Sequence, residues 1–521
     1  MDKDSVAKIE EEVDNQMSQS VRLDNLTSGA VLAQNTGWNL IGQGVPMLVA
    51  IFAIPLLIKG LGIDRFGVLT LAWVVVGYVS LFDLGMGRAL TILVAEKLGT
   101  GQDQKIPGLI WTALLLMLIF GLVGTILLSL LSPWLVHDIL KITDGLQHET
   151  LSSFYLLAAA IPIIVTTVGL RGVLEAHQHF RLTNLIRIPM GIFTFAGPLL
   201  VLLFSQGLFP VIAVLVVGRV VAWLVHIYMC FSLMPDLRYV TLQRSMVGPL
   251  ISFGGWTTLN SIVGPLMLTM DRFFVGALLS SSAVAYYATP FEVVSKLWII
   301  TGALGGVLFP AFATSFAQDR SRTVLLFKRG VKYIFLALFP FTLILLTLAQ
   351  EGLTFWLGAE FSNHSFRVMQ LLVIGVFMLG LESMPHALMQ GIGRPDIPAK
   401  LNVIELPFYL LAAWYMTGSY GIEGAALVWV LRAMVDTVGL FIMAERFLPN
   451  GASVIRRAIA IMAIGLFILM IGLLPMSLMM KGFFLFLTLL TFTVIAWFLS
   501  KQERALIRGR FQVAQIFGEN T

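Results

Sequence analysis

The chain has 521 residues, 58% of them apolar and only 12% charged, with a mean hydropathy of +0.89. A soluble chain carries about twice that charge fraction, so the composition excludes a soluble enzyme and defines an all-α polytopic membrane protein. The net charge of +5 follows membrane topology and does not signal nucleic acid, and the single cysteine, Cys230, excludes disulfides and cysteine-based metal sites.

The first thirty residues are polar and acid-rich (Glu10, Glu11, Glu12, Asp14) and lack the apolar core of a cleavable signal peptide. Crossing a bilayer takes about 20 apolar residues. That window predicts fourteen spans: 36–59, 66–87, 108–131, 151–175, 182–204, 208–232, 248–279, 283–311, 331–357, 367–390, 397–418, 421–445, 455–476 and 482–500. With the N-terminus in the cytoplasm, 23 of the Lys and Arg outside the spans fall inside and 5 outside (Lys59, Arg65, Lys141, Arg367, Lys481). This asymmetry places both termini in the cytoplasm. The longest outside loop is expected at 132–150 and the longest inside loop at 312–330.

Internal echoes suggest a repeat. Gly207–Pro235 aligns without gaps to Gly421–Pro449, with glycine and proline matched at the ends. Gly37-Trp38 before Pro46 resembles Gly255-Trp256 before Pro265, and Arg219 and Arg432 fall at equivalent depths of the sixth and twelfth spans. A period of six helices follows. The expected organisation is a cytoplasmic tail (1–32), an N-terminal six-helix lobe (33–235), a C-terminal six-helix lobe (236–449), two further spans (450–500) and a cytoplasmic tail (501–521).

Four stretches carry a family resemblance: G-L-G-I-D-R-F-G-V-L-T-L-A-W (60–73), F-D-L-G-M-G-R-A-L (82–90), L-R-G-V-L-E-A-H-Q-H-F (170–180) and M-D-R-F-F-V-G (270–276). They resemble the polysaccharide transporters, the oligosaccharide flippases of the multidrug/oligosaccharidyl-lipid/polysaccharide exporter superfamily, over residues 30–500. The resemblance implies a MATE-like fold of two lobes with alternating access. It also implies an O-antigen-type substrate, an oligosaccharide on undecaprenyl pyrophosphate, moved to the outer leaflet of a bacterial inner membrane. It further suggests coupling to a proton or sodium gradient, with glycan polymerase and chain-length machinery as partners. The rival readings are a lipid II flippase, a cation-coupled multidrug exporter, and a membrane glycan polymerase or ligase, the last opposed by the short outside loops.

Charges inside the spans are the candidate site residues, because an ionised side chain at lipid depth is costly and faces a partner or a wet cavity. At 1.5 Å per residue, Lys296, Arg219 and Arg432 lie near mid-membrane, Arg272 nearer the outer side and Arg171 nearer the inner. These five form a candidate cationic pathway for a pyrophosphate. A structural role competes with that reading, since Glu175, Glu292 and Asp436 stand four residues from Arg171, Lys296 and Arg432. Arg219 has no acid within one turn, and Arg187 is expected to snorkel. Asp83, Asp271, Glu292, Glu382, Glu405 and Asp436 are candidates for ion coupling or gating. Asp83 also reads as part of a helix C-terminus with packing glycines. Asp271 points about 100° away from Arg272 and is not its natural partner. Pro46, Pro55, Pro265 and Pro290 are hinge candidates. No phosphate-binding loop, zinc motif or C-x-x-C occurs, so no enzymatic activity and no resident cofactor are expected.

Overall fold

A computed structural model describes residues 29–78, 83–100, 102–177, 179–318 and 320–497, with side chains described except at 29–43, 78, 99, 180–181, 251–262, 265 and parts of 303–318. The expected tails (apart from the backbone of 29–32), Phe82, the side chains of Trp38, Trp256 and Pro265, and the end of the last span lie outside the described residues.

Among the described residues every long element is helical. In order these are α1 (Gly29–Leu61), α2 (Ile63–Tyr78), α3 (Met86–Gly99), α4 (Ile106–Trp134), α5 (Asp144–Ala176), α6 (Phe180–Leu202), α7 (Leu208–Leu233), α8 (Val247–Leu278) and α9 (Ser281–Ser295). There follow α10 (Trp298–Gln318), α11 (Arg320–Thr347), α12 (Ala349–Leu357), α13 (Ala359–Gly391), α14 (Asp396–Glu445), α15 (Gly451–Gly472) and α16 (Leu478–Trp497). Ten helices among the described residues are long and apolar enough to cross a membrane. Their outer faces carry large apolar side chains such as Phe52, Tyr228, Phe483 and Phe486, a surface that hydrocarbon solvates and water does not.

The chain forms two compact units. Unit 1 runs to Asp138 and resumes from Thr143 to Ile262; unit 2 takes Ile139–Ile142 and everything from Val263. Within unit 1, Glu149 of α5 is an anchor: its carboxylate meets Arg65 at 3.0 Å and accepts the Leu208 N–H that opens α7. A carboxylate there satisfies an orphan donor and complements the helix dipole.

Several expected spans are divided, and each division has a local cause. Within the 66–87 span, α2 is described to Tyr78, and α3 starts anew at Met86 after Leu84 and Gly85, both with positive φ. The 283–311 span breaks between α9 and α10, where Lys296, Leu297, Ile299 and Ile300 all bond to carbonyls three residues back. The turn tightens here, six residues after Pro290 removes a backbone donor. Similarly, the 331–357 span divides into α11 and α12. The 397–418 and 421–445 spans form the single run α14, interrupted at Gly421, whose φ of 63° and ψ of −148° are non-helical. That backbone position is open almost only to glycine.

Both long expected loops are shorter in the structure. Helix α10 reaches Gln318 and α11 begins at Arg320, so most of 312–330 is helical. On the other side, α4 extends through Trp134 into a π-turn at Leu135–Ile139, and α5 begins at Asp144.

Candidate functional site

Unit 1 contains a cavity of about 520 Å³ between α5, α6 and α7. Helix α5 supplies Arg171 and Glu175, α6 supplies Asn184 and Arg187, and α7 supplies Arg219 and His226. The spacing explains the shared wall: Arg219, Ala222 and His226 recur every three or four residues, so α7 turns one stripe toward the cavity. Arg171 and Glu175 form an i,i+4 pair at 3.5 Å and both stay partly exposed. Arg219 has no ion-pair or hydrogen-bond partner among the described residues. Arg187, expected to snorkel, is exposed and lines the cavity. Three guanidiniums therefore face one carboxylate.

Arg219 also borders a second, small cavity with Trp73 of α2. The Trp73 ring is held edge-on against Phe66 and Phe195, and its buried N–H has no acceptor among the described residues. Asn184, His226 and Trp73 escaped the sequence reading, since uncharged polar groups in an apolar run give no periodic signal. His226 is engaged on one side, its Nδ1 lying 2.7 Å from the Ala222 carbonyl oxygen.

Asp83 lies beside this site; residues 79–82 before it, where one reading places a helix C-terminus, lie outside the described residues. It stands before α3, where its carboxylate accepts the Gly85 N–H at 2.7 Å, within electrostatic range of Arg171. An aspartate two residues before a helix N-cap, here Gly85, is a turn former and dipole partner. Helix α3 then packs closely on α5: a Cβ built on Gly172 would come within 2.9 Å of the Gly87 carbonyl oxygen.

Unit 2 arranges its charges differently. Asp271 is fully buried and accepts hydrogen bonds from the Tyr287 hydroxyl and, at 2.9 Å, from the Arg272 backbone N–H. The Arg272 side chain turns away, as the helical offset required. It lies over the Phe291 ring and donates from Nη2 to Glu292 at 3.2 Å. Glu292 also receives Lys296 at 3.2 Å through its other oxygen. One carboxylate thus bridges two cations from α8 and the end of α9. Lys296 sits at the α9–α10 break and is partly exposed, whereas the Arg272 side chain is only 4% exposed.

A second group surrounds Arg432 of α14. Its Nη2 pairs with Asp436 at 3.1 Å, its Nη1 donates to the Met267 carbonyl at 3.0 Å, and the guanidinium lies near the Tyr409 ring. Glu382 of α13 is within electrostatic range of Asp436, Arg432 and Glu405. Both carboxylate oxygens of Glu405 are buried with no hydrogen-bond partner among the described residues. No group of three or more His, Cys, Asp or Glu among the described residues is arranged to hold a metal ion.

The candidate residues are thus distributed as Arg171, Arg219 and Asp83 in unit 1, and Asp271, Arg272, Glu292, Lys296, Glu382, Glu405, Arg432 and Asp436 in unit 2.

Among the described residues the chain is helical with ten helices of membrane length, and its fold is that of a solved transporter of the multidrug/oligosaccharidyl-lipid/polysaccharide exporter superfamily. Two solved structures share that fold. One is an inward-facing multidrug resistance MATE family transporter (TM-score 0.67, 14% identity, 80% of this chain and 98% of that one). The other is the lipid II flippase MurJ in an inward closed conformation (TM-score 0.67, 12% identity, 89% and 99%). Residues 32–316 match the family described as polysaccharide biosynthesis protein, and the chain belongs to that family. Its relatives include the "Putative O-antigen transporter" of Shigella flexneri, 31% identical over 78% of this chain and 96% of that protein. The lipopolysaccharide biosynthesis protein WzxC of Escherichia coli (strain K12) is 23% identical over 42% of this chain and 43% of its own length.

Proposed function

We propose that the protein flips lipid-linked oligosaccharide across a bacterial inner membrane by alternating access, with the unit 1 cavity as the seat of the substrate's pyrophosphate. Family membership and the O-antigen transporter relative support the flippase activity. The observation that carries the choice of seat is Arg219, a guanidinium facing a cavity of about 520 Å³ with no acid paired to it among the described residues. A phosphate leaving water must exchange hydration for charge-assisted hydrogen bonds, and guanidinium forks supply them in matching geometry. Arg171 and Arg187 share the wall, so three cations can divide the charge of one pyrophosphate.

Arg272, Lys296 and Arg432 are later stations in this scheme. Each is held by a carboxylate, so a phosphate arriving there exchanges with Glu292 or Asp436. Glu382, Glu405 and Asp436 are the proposed proton or cation coupling group, with Asp83 and Asp271 as gating positions. Both termini face the cytoplasm in this reading, and polymerase and chain-length proteins act on the exported glycan. The protein works as a transporter and catalyses no bond change.

The test is export in cells whose only flippase for the glycan is this protein. Replacing Arg219 by Gln abolishes surface glycan while the protein stays in the membrane, and Arg219→Lys restores part of it. Normal glycan with Arg219→Gln overturns the seat.

A further inference from the structure

Unit 1 has a second cavity of a different character. It measures about 550 Å³ and lies between α4, α5, α7 and the α7–α8 connection, with walls that include Trp111, Leu114, Ile163, Leu170, Trp223 and Phe231. Three polar groups in its walls are already engaged within the protein. Thr166 donates to the Pro162 carbonyl at 2.7 Å, the Cys230 thiol to the Leu170 carbonyl at 3.5 Å, and the Trp111 indole to the Leu237 carbonyl at 3.0 Å. Such a groove offers a ligand only apolar contact. In a bilayer that means a hydrocarbon chain, and the exposed rim residues Leu115 and Leu118 open it toward lipid.

The connection that covers one end of the groove has matching chemistry. It is pinned to α4 by the Trp111 bond and by the Gln243 N–H, which donates to Thr112 at 2.9 Å. Leu237 is buried, while Tyr239, Val240 and Leu242 project outward at 76%, 65% and 56% exposure. Arg238 and Arg244 flank this apolar run, both exposed. Neither pairs with Asp236 or with any other acid among the described residues. An aromatic and aliphatic strap bracketed by free arginines is built for the interface, where the apolar groups enter the acyl region and the cations meet anionic headgroups.

We propose that this end of unit 1 binds one anionic phospholipid, with an acyl chain in the groove and its phosphate on Arg238 and Arg244. The substrate's own tail is the weaker fit. The groove shares no lining residue with the arginine cavity and lies on another face of α7, so a lipid seated here keeps its headgroup at the connection. The proposal is independent of the flippase reading.

Native mass spectrometry of the full chain in detergent, with phosphatidylglycerol or phosphatidylcholine added, tests it. One phosphatidylglycerol is retained in preference to phosphatidylcholine. Arg238→Gln and Arg244→Gln each weaken it by about fivefold. Ile163→Trp, which fills the groove and leaves both arginines in place, weakens it as well, and a thermal melt confirms that each variant is folded. Equal retention of the two lipids, or retention unchanged in the double arginine variant, overturns the proposal. Displacement of phosphatidylglycerol by an equimolar long-chain polyisoprenyl phosphate also overturns it, since the groove then belongs to an isoprenoid tail.

Discussion

Lys481 at the start of α16 donates to both carboxylate oxygens of Glu351 in α12, at 2.9 and 3.1 Å. The lysine side chain is 9% exposed and the glutamate 34%, so the pair is a partly dry clasp holding a helix that otherwise shows most of its surface to lipid. Removing one partner leaves a charge with little water to replace it. Glu351→Gln lowers the unfolding free energy by about 1–3 kcal/mol, read as a drop in melting temperature in detergent. Combined with Lys481→Met it costs less than the sum of the two single changes.

Glu292 serves two cations of unequal burial, and the asymmetry fixes an order of effects. Glu292→Gln strands Arg272, whose side chain is 4% exposed, and costs about 3 kcal/mol. Lys296→Met leaves Glu292 still paired with Arg272 and costs under about 1 kcal/mol, because Lys296 is partly exposed. Thermal unfolding of the two variants checks the order; equal losses would show that Arg272 finds another acceptor.

The α3–α5 contact depends on an absent side chain. A Cβ on Gly172 would lie 2.5 Å from Thr91 Oγ1 and 2.9 Å from the Gly87 carbonyl oxygen, whereas one on Gly352 meets nothing within 4 Å. Gly172→Ala therefore destabilises by about 1–3 kcal/mol, and Gly352→Ala is neutral or stabilising by up to about 1 kcal/mol. Comparative melting curves decide it.

Gly421 interrupts α14 at a backbone conformation that an L side chain resists. Gly421→Ala costs about 1–3 kcal/mol in unfolding free energy, while Gly418→Ala, in open space three residues earlier, does not. A melt that ranked Gly418→Ala as the worse of the two would place the break elsewhere.

The sequence made some of this arrangement legible, and the reasons are physical. Ion pairs one helical turn apart could be read from spacing, and Arg171–Glu175, Glu292–Lys296 and Arg432–Asp436 are all formed. The bridge from Arg272 to Glu292 spans 20 residues and the Lys481–Glu351 clasp 130. Distances like these depend on how helices pack, which no local pattern encodes. The breaks at Lys296 and Leu348 fall inside stretches long enough to read as one span, and the change lies in the backbone: bonds three residues back at Lys296, and a non-helical φ of −102° and ψ of 21° at Leu348. The boundary expected between the 397–418 and 421–445 spans falls at the non-helical Gly421, which aligns with Gly207, the residue that caps α7. The unit 1 cavity was half visible: Arg219 stood out by lacking an acid, but Arg187 joins it only through the approach of α6 and α7, and His226, on the Arg219 stripe of α7, carries no charge to mark it.

The unpaired guanidiniums of unit 1 have an electrical consequence. In the α8–α9 group, Arg272 and Lys296 are matched by Asp271 and Glu292, so a displacement of that group carries no net charge through the bilayer. The α5–α7 cavity holds three cations against one carboxylate, and the membrane voltage acts on the excess. Moving one elementary charge across the full field is worth about 2.3 kcal/mol per 100 mV. Any step that shifts this wall along the membrane normal is therefore voltage-sensitive when the cavity is empty, and becomes less so once an anion fills it.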